Sequence, residues 1–120
     1  MLFRSVAMLL EQGAQKVQLH AFDGKVSAAM PAVEAGYFFS MPPSIVRSRQ
    51  KQKLVKHLPI ACLLVESDSP VLGPFPQQRN EPSNTALSVD AIAEIKDIRR
   101  EEVIETVFEN TCRLYGKFYL

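Results

Sequence analysis

This sequence is short of the features that usually place a protein quickly. It has two cysteines, Cys62 in an apolar run and Cys112 in a predicted helix, and no CxxC spacing. That argues against a disulfide scaffold and for buried thiols in a reducing compartment. No apolar run approaches the ~20 residues that a membrane span needs. Neither sign of charge dominates: the formal net charge is +1. No global field therefore advertises nucleic acid, and any such contact has to be local. There is no GxSxG, no Walker-type glycine loop, no dinucleotide fingerprint and no RNP-like aromatic strand, which sets aside serine nucleophiles and nucleotide-dependent redox. Histidine is scarce too, with only His20 and His57.

What remains is the composition of one globular domain over residues 1–120, 47% hydrophobic and 22% charged. The opening MLFRSVAMLLEQG has its apolar residues interrupted by Arg4 and Ser5 and no clean cleavage pattern. It reads as an amphipathic helix ending at Gly13 rather than a signal segment. The expectation is a soluble, intracellular protein, in cytoplasm or nucleus.

The elements alternate. KVQLHA (Lys16–Ala21) reads as a strand, Asp23-Gly24 as a turn, and Val26, Ala29, Met30 and Val33 as a helix running to Gly36. Pro31 falls inside that helix, so the helix either starts late or kinks. A strand at Tyr37–Ser40, a basic helix at Arg47–His57 and a strand at Ile60–Val65 follow. A loop from Ser67 to Asn84 with four prolines comes next, far above the usual ~4–6 residues. Helices at Ala86–Lys96 and Arg100–Tyr115 close the chain. Such alternation predicts an α/β fold of parallel strands joined by right-handed crossovers. His20, Ser40 and Asp68 fall at the C-terminal ends of the three strands, the edge where parallel α/β folds build sites.

LLVESDSP poses the sharpest question, because an apolar strand runs into Glu66 and Asp68. Strand alternation puts both carboxylates on one face, where they repel and lose hydration unless something positive sits with them. His20 alone could be a strand-end histidine bonded to a carbonyl, and Asp68 alone a turn residue before Pro70. Together at equivalent strand ends they are ordinary ligands for a divalent metal. In Arg79-Asn80-Glu81-Pro82, Arg79 and Asn80 could contact a phosphate or substrate, or lie in a solvated loop. Arg47, Arg49, Lys51, Lys53 and Lys56 read as a solvated basic face and a weak nucleic-acid contact; His57 reads as exposed.

Taken in order, LHAFDG with His20, GYFFSMPPSI, LLVESDSP with Asp68, RNEP and EEVIETVFENTCRLYG resemble the TatD-type deoxyribonucleases. The resemblance runs from about Leu9 to Gly116. It implies a metal-dependent hydrolase of the phosphodiester bonds of DNA, built on a TIM (β/α)8 barrel. On the matching positions, His20 ligates metal, and Asp68 ligates metal and acts as base toward the attacking water. Glu66 supports the site from behind its ligands. The implied cofactors are divalent ions, Mg, Mn or Zn, two of them in a full-length member. The family's HxH pair and its further glutamate and histidine ligands have no counterpart here. A whole barrel needs about 250 residues, so this chain corresponds to the last three βα units, with the sixth, seventh and eighth strands. Two ligands hold a dication poorly and cut strands expose edges. The resemblance therefore leads us to expect a truncated chain beginning anew at Met1, with little nuclease activity alone, acting if at all through association along its sheet edges.

Overall fold

The computed structural model describes residues 2–116; Met1, the first residue of the expected opening helix, lies outside them. The order is α1 (Leu2–Glu11), β1 (Gln18–His20), α2 (Val26–Glu34), β2 (Phe38–Met41), α3 (Arg49–His57), β3 (Leu63–Val65), α4 (Thr85–Lys96) and α5 (Arg100–Tyr115). Single 3₁₀ turns occupy Pro43–Val46, Ile60–Cys62 and Pro82–Asn84. The strands form one parallel sheet in the order β1-β2-β3. β2 has the length the sequence suggested, but β1 and β3 are shorter, β3 because Ile60–Cys62 coils into a 3₁₀ turn before it begins.

Register fixes which side chains share a face. Leu19 pairs with Phe39 and Phe39 with Leu63, while Met41 pairs with Val65. This row joins the main apolar core, with Ala29 and Ala32 of α2, Leu54 and Val55 of α3, Ile92 of α4 and Val103 of α5. The alternate row, Gln18, His20, Phe38, Ser40 and Leu64, points to the other face. There Phe38 and Leu64 pack against Leu114, near the end of α5. Lower on that face the Tyr115 hydroxyl bonds Gln18, and the Arg113 guanidinium lies 5.2 Å from the centre of the Phe38 ring.

α2 does not start late: it begins at Val26 and runs through Pro31. The carbonyl that the missing Pro31 N–H would have bonded belongs to Ser27, which is exposed, so water can satisfy it. α3 begins at a Ser48 cap, whose hydroxyl accepts from the Lys51 amide at 3.2 Å. Its basic face was expected to be solvated, and Lys51 departs from that. Lys51 is 5% exposed, because it shares a helical stripe with Leu54, Val55 and Leu58 that faces the core. Cys62 is a buried free thiol and Cys112 a half-buried one.

Before β3 the main chain is held by side chains from α4 and α5. Asn110 donates to the Ile60 carbonyl at 2.9 Å and to that of Leu63 at 2.7 Å. Arg113 donates to Ala61, Lys96 to Leu58, and the Cys62 thiol to Pro59. This collar fixes where β3 starts, and hence where Glu66 and Asp68 fall after it.

Candidate metal centre

His20 ends β1 opposite Ser40 of β2, and the chain leaves β3 directly into Glu66. β3 stops at Val65, so alternation does not carry the two carboxylates onto one face as the sequence suggested. The Glu66 amide still bonds the Met41 carbonyl at 3.2 Å. Asp68 then takes a left-handed backbone, φ 52°, a conformation that aspartate accepts more readily than most residues. That turn swings its carboxylate back toward the sheet.

The result brackets the imidazole. Nδ1 of His20 lies 2.6 Å from Glu66 Oε1, and Nε2 lies 3.5 Å from Asp68 Oδ1. The other Glu66 oxygen, Oε2, accepts from the Ala21 amide at 3.3 Å and from the buried Ser40 hydroxyl. Apart from this short approach of Nδ1, the buried Oε1 has no hydrogen-bond partner. A buried carboxylate oxygen in that state calls for a positive partner such as a cation. One ligand atom from each of His20, Glu66 and Asp68 falls within 4.8 Å of the others.

This donor set fits a divalent ion. Two ligands each about 2.1 Å from one tetrahedral centre lie about 3.4 Å apart, against 3.5 Å between Nε2 and Oδ1. Glu66 on Nδ1 leaves Nε2 as the nitrogen facing Asp68, the arrangement in which a carboxylate orients a ligating histidine. The ring is mostly exposed, with 57% of its side-chain surface open, so the centre faces outward.

Three residues that sequence reasoning did not place at the centre support it. Ser40 holds Glu66, and its equivalence to His20 at a strand end was the available signal. The Lys51 ammonium reaches the Ala21 carbonyl at 3.4 Å and Asp23 at 3.3 Å. It thereby ties down the turn after His20, where Ala21 has φ 48°, and its place on the apolar stripe of α3 was the clue. Asn110 fixes β3 from a helix that carries no site residue, and nothing in its spacing announced that.

Asn80, read from sequence as either a substrate contact or part of a solvated loop, is in fact buried within the loop. It is 2% exposed, and its amide donates to Ser67 O at 2.5 Å and to Val71 O at 2.8 Å, while its oxygen accepts from Asn84. It pins the long loop shut, because closing so many residues leaves main-chain groups that need partners. Arg79 beside it is exposed, as is His57 on α3.

The family model described as TatD related DNase matches residues 3–116. The chain belongs to the TatD-related DNase family. Among its relatives, deoxyribonuclease TATDN3 of Homo sapiens is 57% identical over 113 residues, covering 94% of this chain and 41% of that protein. The uncharacterized metal-dependent hydrolase YabD of Bacillus subtilis is 33% identical over 116 residues, covering 92% and 46%. In structure, the TatD homolog YjjV of Escherichia coli superposes with a TM-score of 0.84 at 24% identity, over 97% of this chain and 47% of that one. A TatD family hydrolase of Entamoeba histolytica gives 0.79 at 20% identity, over 93% and 47%. These last two likenesses speak for the fold: the three parallel strands and their helices are part of a (β/α)8 barrel of the TatD type. The chain spans less than half the length of the TatD relatives it matches. No helix among the described residues is long and apolar enough to cross a membrane.

Proposed function

We propose that this chain supplies part of the metal centre of a TatD-type hydrolase acting on the phosphodiester bonds of DNA. The observation that carries the reading is the bracketed imidazole, with Nδ1 against Glu66 and Nε2 facing Asp68 at 3.5 Å. His20 and Asp68 are the ligands, and Glu66, held by Ser40 and the Ala21 amide, orients the ring. A divalent ion, magnesium, manganese or zinc, supplies positive charge for the phosphate oxygens and makes a nearby water more acidic. In this reading the Asp68 carboxylate accepts the proton of the attacking water. Its left-handed backbone fixes it at the end of β3, so the acceptor does not drift with the loop. Arg79, exposed in the loop that follows β3, is a candidate for phosphate contact. The names of TATDN3 and YabD, a deoxyribonuclease and a metal-dependent hydrolase, support the chemistry.

Manganese binding by the whole chain, followed by electron paramagnetic resonance of the free ion, tests this. The purified chain is expected to take up the ion, and Asp68→Asn or His20→Ala to lose that uptake. Cleavage of single-stranded DNA, by this chain alone or joined to the remaining strands of a barrel, should stop in chelator. Uptake unchanged in both variants would rule out the assignment.

A second reading rests on the free edges of β1 and β3. Unpaired strand edges are templates for pairing, and we propose that a chain of this extent associates through them. Sedimentation across a concentration series would show a rising mass if so, and a constant monomer mass if not.

A further inference from the structure

α4 is apolar on two sides. Ser88, Val89 and Ile92 are buried against the core, while Leu87, Ala91 and Ile95, at i, i+4 and i+8, run down a second side and are half-buried. A helix apolar over so much of its circumference is ordinarily covered all round, yet this second side lines an open groove. The groove measures about 530 Å³ and lies between α4 and the 3₁₀ turn Pro43–Val46 that leads into α3. Ile45 and Val46 complete its apolar lining, and Val46 is 42% exposed. Gln52 of α3, in the wall, donates to the Ile45 carbonyl at 2.8 Å, so the groove is formed in advance of any occupant. No residue of the metal centre lines it.

Two rows of like charge stand unanswered on the helices. Arg49, Lys53 and Lys56 lie at i, i+4 and i+7 on the outer face of α3, beside Gln52. Glu101, Glu105 and Glu109 lie at i, i+4 and i+8 on α5. All six are exposed, and none is in an ion pair among the described residues. Like charges one turn apart destabilise a helix, so each row weakens its own helix until an opposite row faces it. Next to the acidic row α5 exposes Ile104 and Phe108, at 44% and 62%, to one side of the buried stripe of Val103, Val107 and Leu114.

We propose that the groove receives α5 of a second copy of this chain, with Ile104 and Phe108 seated in it and the acidic row against Arg49, Lys53 and Lys56. The acidic row turns toward α3 because the α4 wall already carries Asp90 and Glu94. Groove and ridge are different surfaces, so the contact is head-to-tail, and each added copy leaves one of each free for the next. It uses helix faces rather than strand edges, and it stands whether or not the chain binds metal or DNA.

Sedimentation equilibrium of the whole chain, in a series reaching about 500 μM because one helix in one groove is a small interface, reads the mass. The mass should rise without levelling off at a dimer and fall back in salt, which screens exposed charges. Phe108→Ser on the ridge and Val46→Glu in the groove should each weaken association about thirtyfold, the effect of losing an interfacial hot spot. Both side chains are exposed, so circular dichroism should not change. Mixed together, the two variants should form a dimer of one of each, since one keeps an intact groove and the other an intact ridge. A mixture no heavier than its parts overturns the proposal, as does a monomer mass for wild type at every concentration. If both variants associate as wild type does, the contact runs elsewhere, along the strand edges, and the helix docking is wrong.

Discussion

Replacing Asn110 by alanine tests whether the collar on β3 holds the site-bearing strand. Asn110 is 1% exposed and donates to Ile60 O and Leu63 O, while its oxygen accepts from Arg113 at 2.6 Å. Truncation strands both carbonyls. Ile60 is half-buried, so its carbonyl can recruit water and the loss there is near the net value of one hydrogen bond, about 1 kcal/mol. The bond to Leu63 is buried, and an unpaired acceptor there costs about 1–3 kcal/mol. We predict a loss of roughly 2–4 kcal/mol from a total stability of about 5–15 kcal/mol. For a domain of this size that lowers Tm by roughly 8–15 °C. Urea denaturation followed by circular dichroism measures it. Asn110→Asp keeps the shape but donates nothing and sets a carboxylate against two carbonyls, so it should also destabilise at neutral pH despite Arg113 nearby. Either variant within about 0.5 kcal/mol of wild type, the range of an ordinary surface change, would show that the collar does not hold β3.

Other expectations follow from single contacts. Ser40→Ala should reduce manganese affinity about tenfold by releasing Glu66, read by the same free-ion resonance; an unchanged affinity would remove Ser40 from the support of the centre. Asp97 sits at the end of α4 with φ 53° and a carboxylate at the negative end of the helix. Asp97→Gly should therefore stabilise by about 1 kcal/mol in a thermal melt, and destabilisation would refute that account. Burial pushes the Cys62 thiol from 9.0 up to about 11, with Lys96 and a backbone bond pulling the other way. Between those values the unfolded chain loses the thiol proton and the native one keeps it, so stability present below pH 9 drains away toward pH 11. Lys96, lowered from 10.5 chiefly by burial, works in the opposite sense, so its contribution grows with pH. Urea midpoints of Cys62→Ala should lack the thiol's share of the alkaline fall; a profile parallel to wild type would contradict it.

Periodicity located every helix and strand because each buries a stripe or a row of the right repeat, and the order of elements alone called for parallel pairing. It overestimated strand length. The apolar run Ile60–Val65 carries no mark telling a buried 3₁₀ turn from a strand, and only the Asn110 and Arg113 collar decides the matter. His20, Glu66 and Asp68 could be named from strand ends and from resemblance. Their geometry could not, since Asp68 reaches His20 through a left-handed turn rather than through alternation. Lys51 was misjudged because its charge outweighed its position on an apolar stripe. Asn80 was misjudged because a polar residue in a long loop says nothing of whether it faces water or the loop's own carbonyls.

His20 and Glu66 belong to strands that never touch, since β2 lies between them. Their contact is thus a clasp thrown over the middle strand, joining the last residue of β1 to the residue that follows β3. β1 and β3 each have three residues and an outer edge unpaired among the described residues, but β3 is held by Asn110, so β1 is the member of the sheet more apt to fray. Opening the clasp and lifting β1 become one event, and whatever charge occupies the imidazole's two carboxylate neighbours weights the latch. Amide exchange along Gln18–His20 would then rise and fall with the load at the mouth of the sheet, making the weakest strand the gauge of the site it carries.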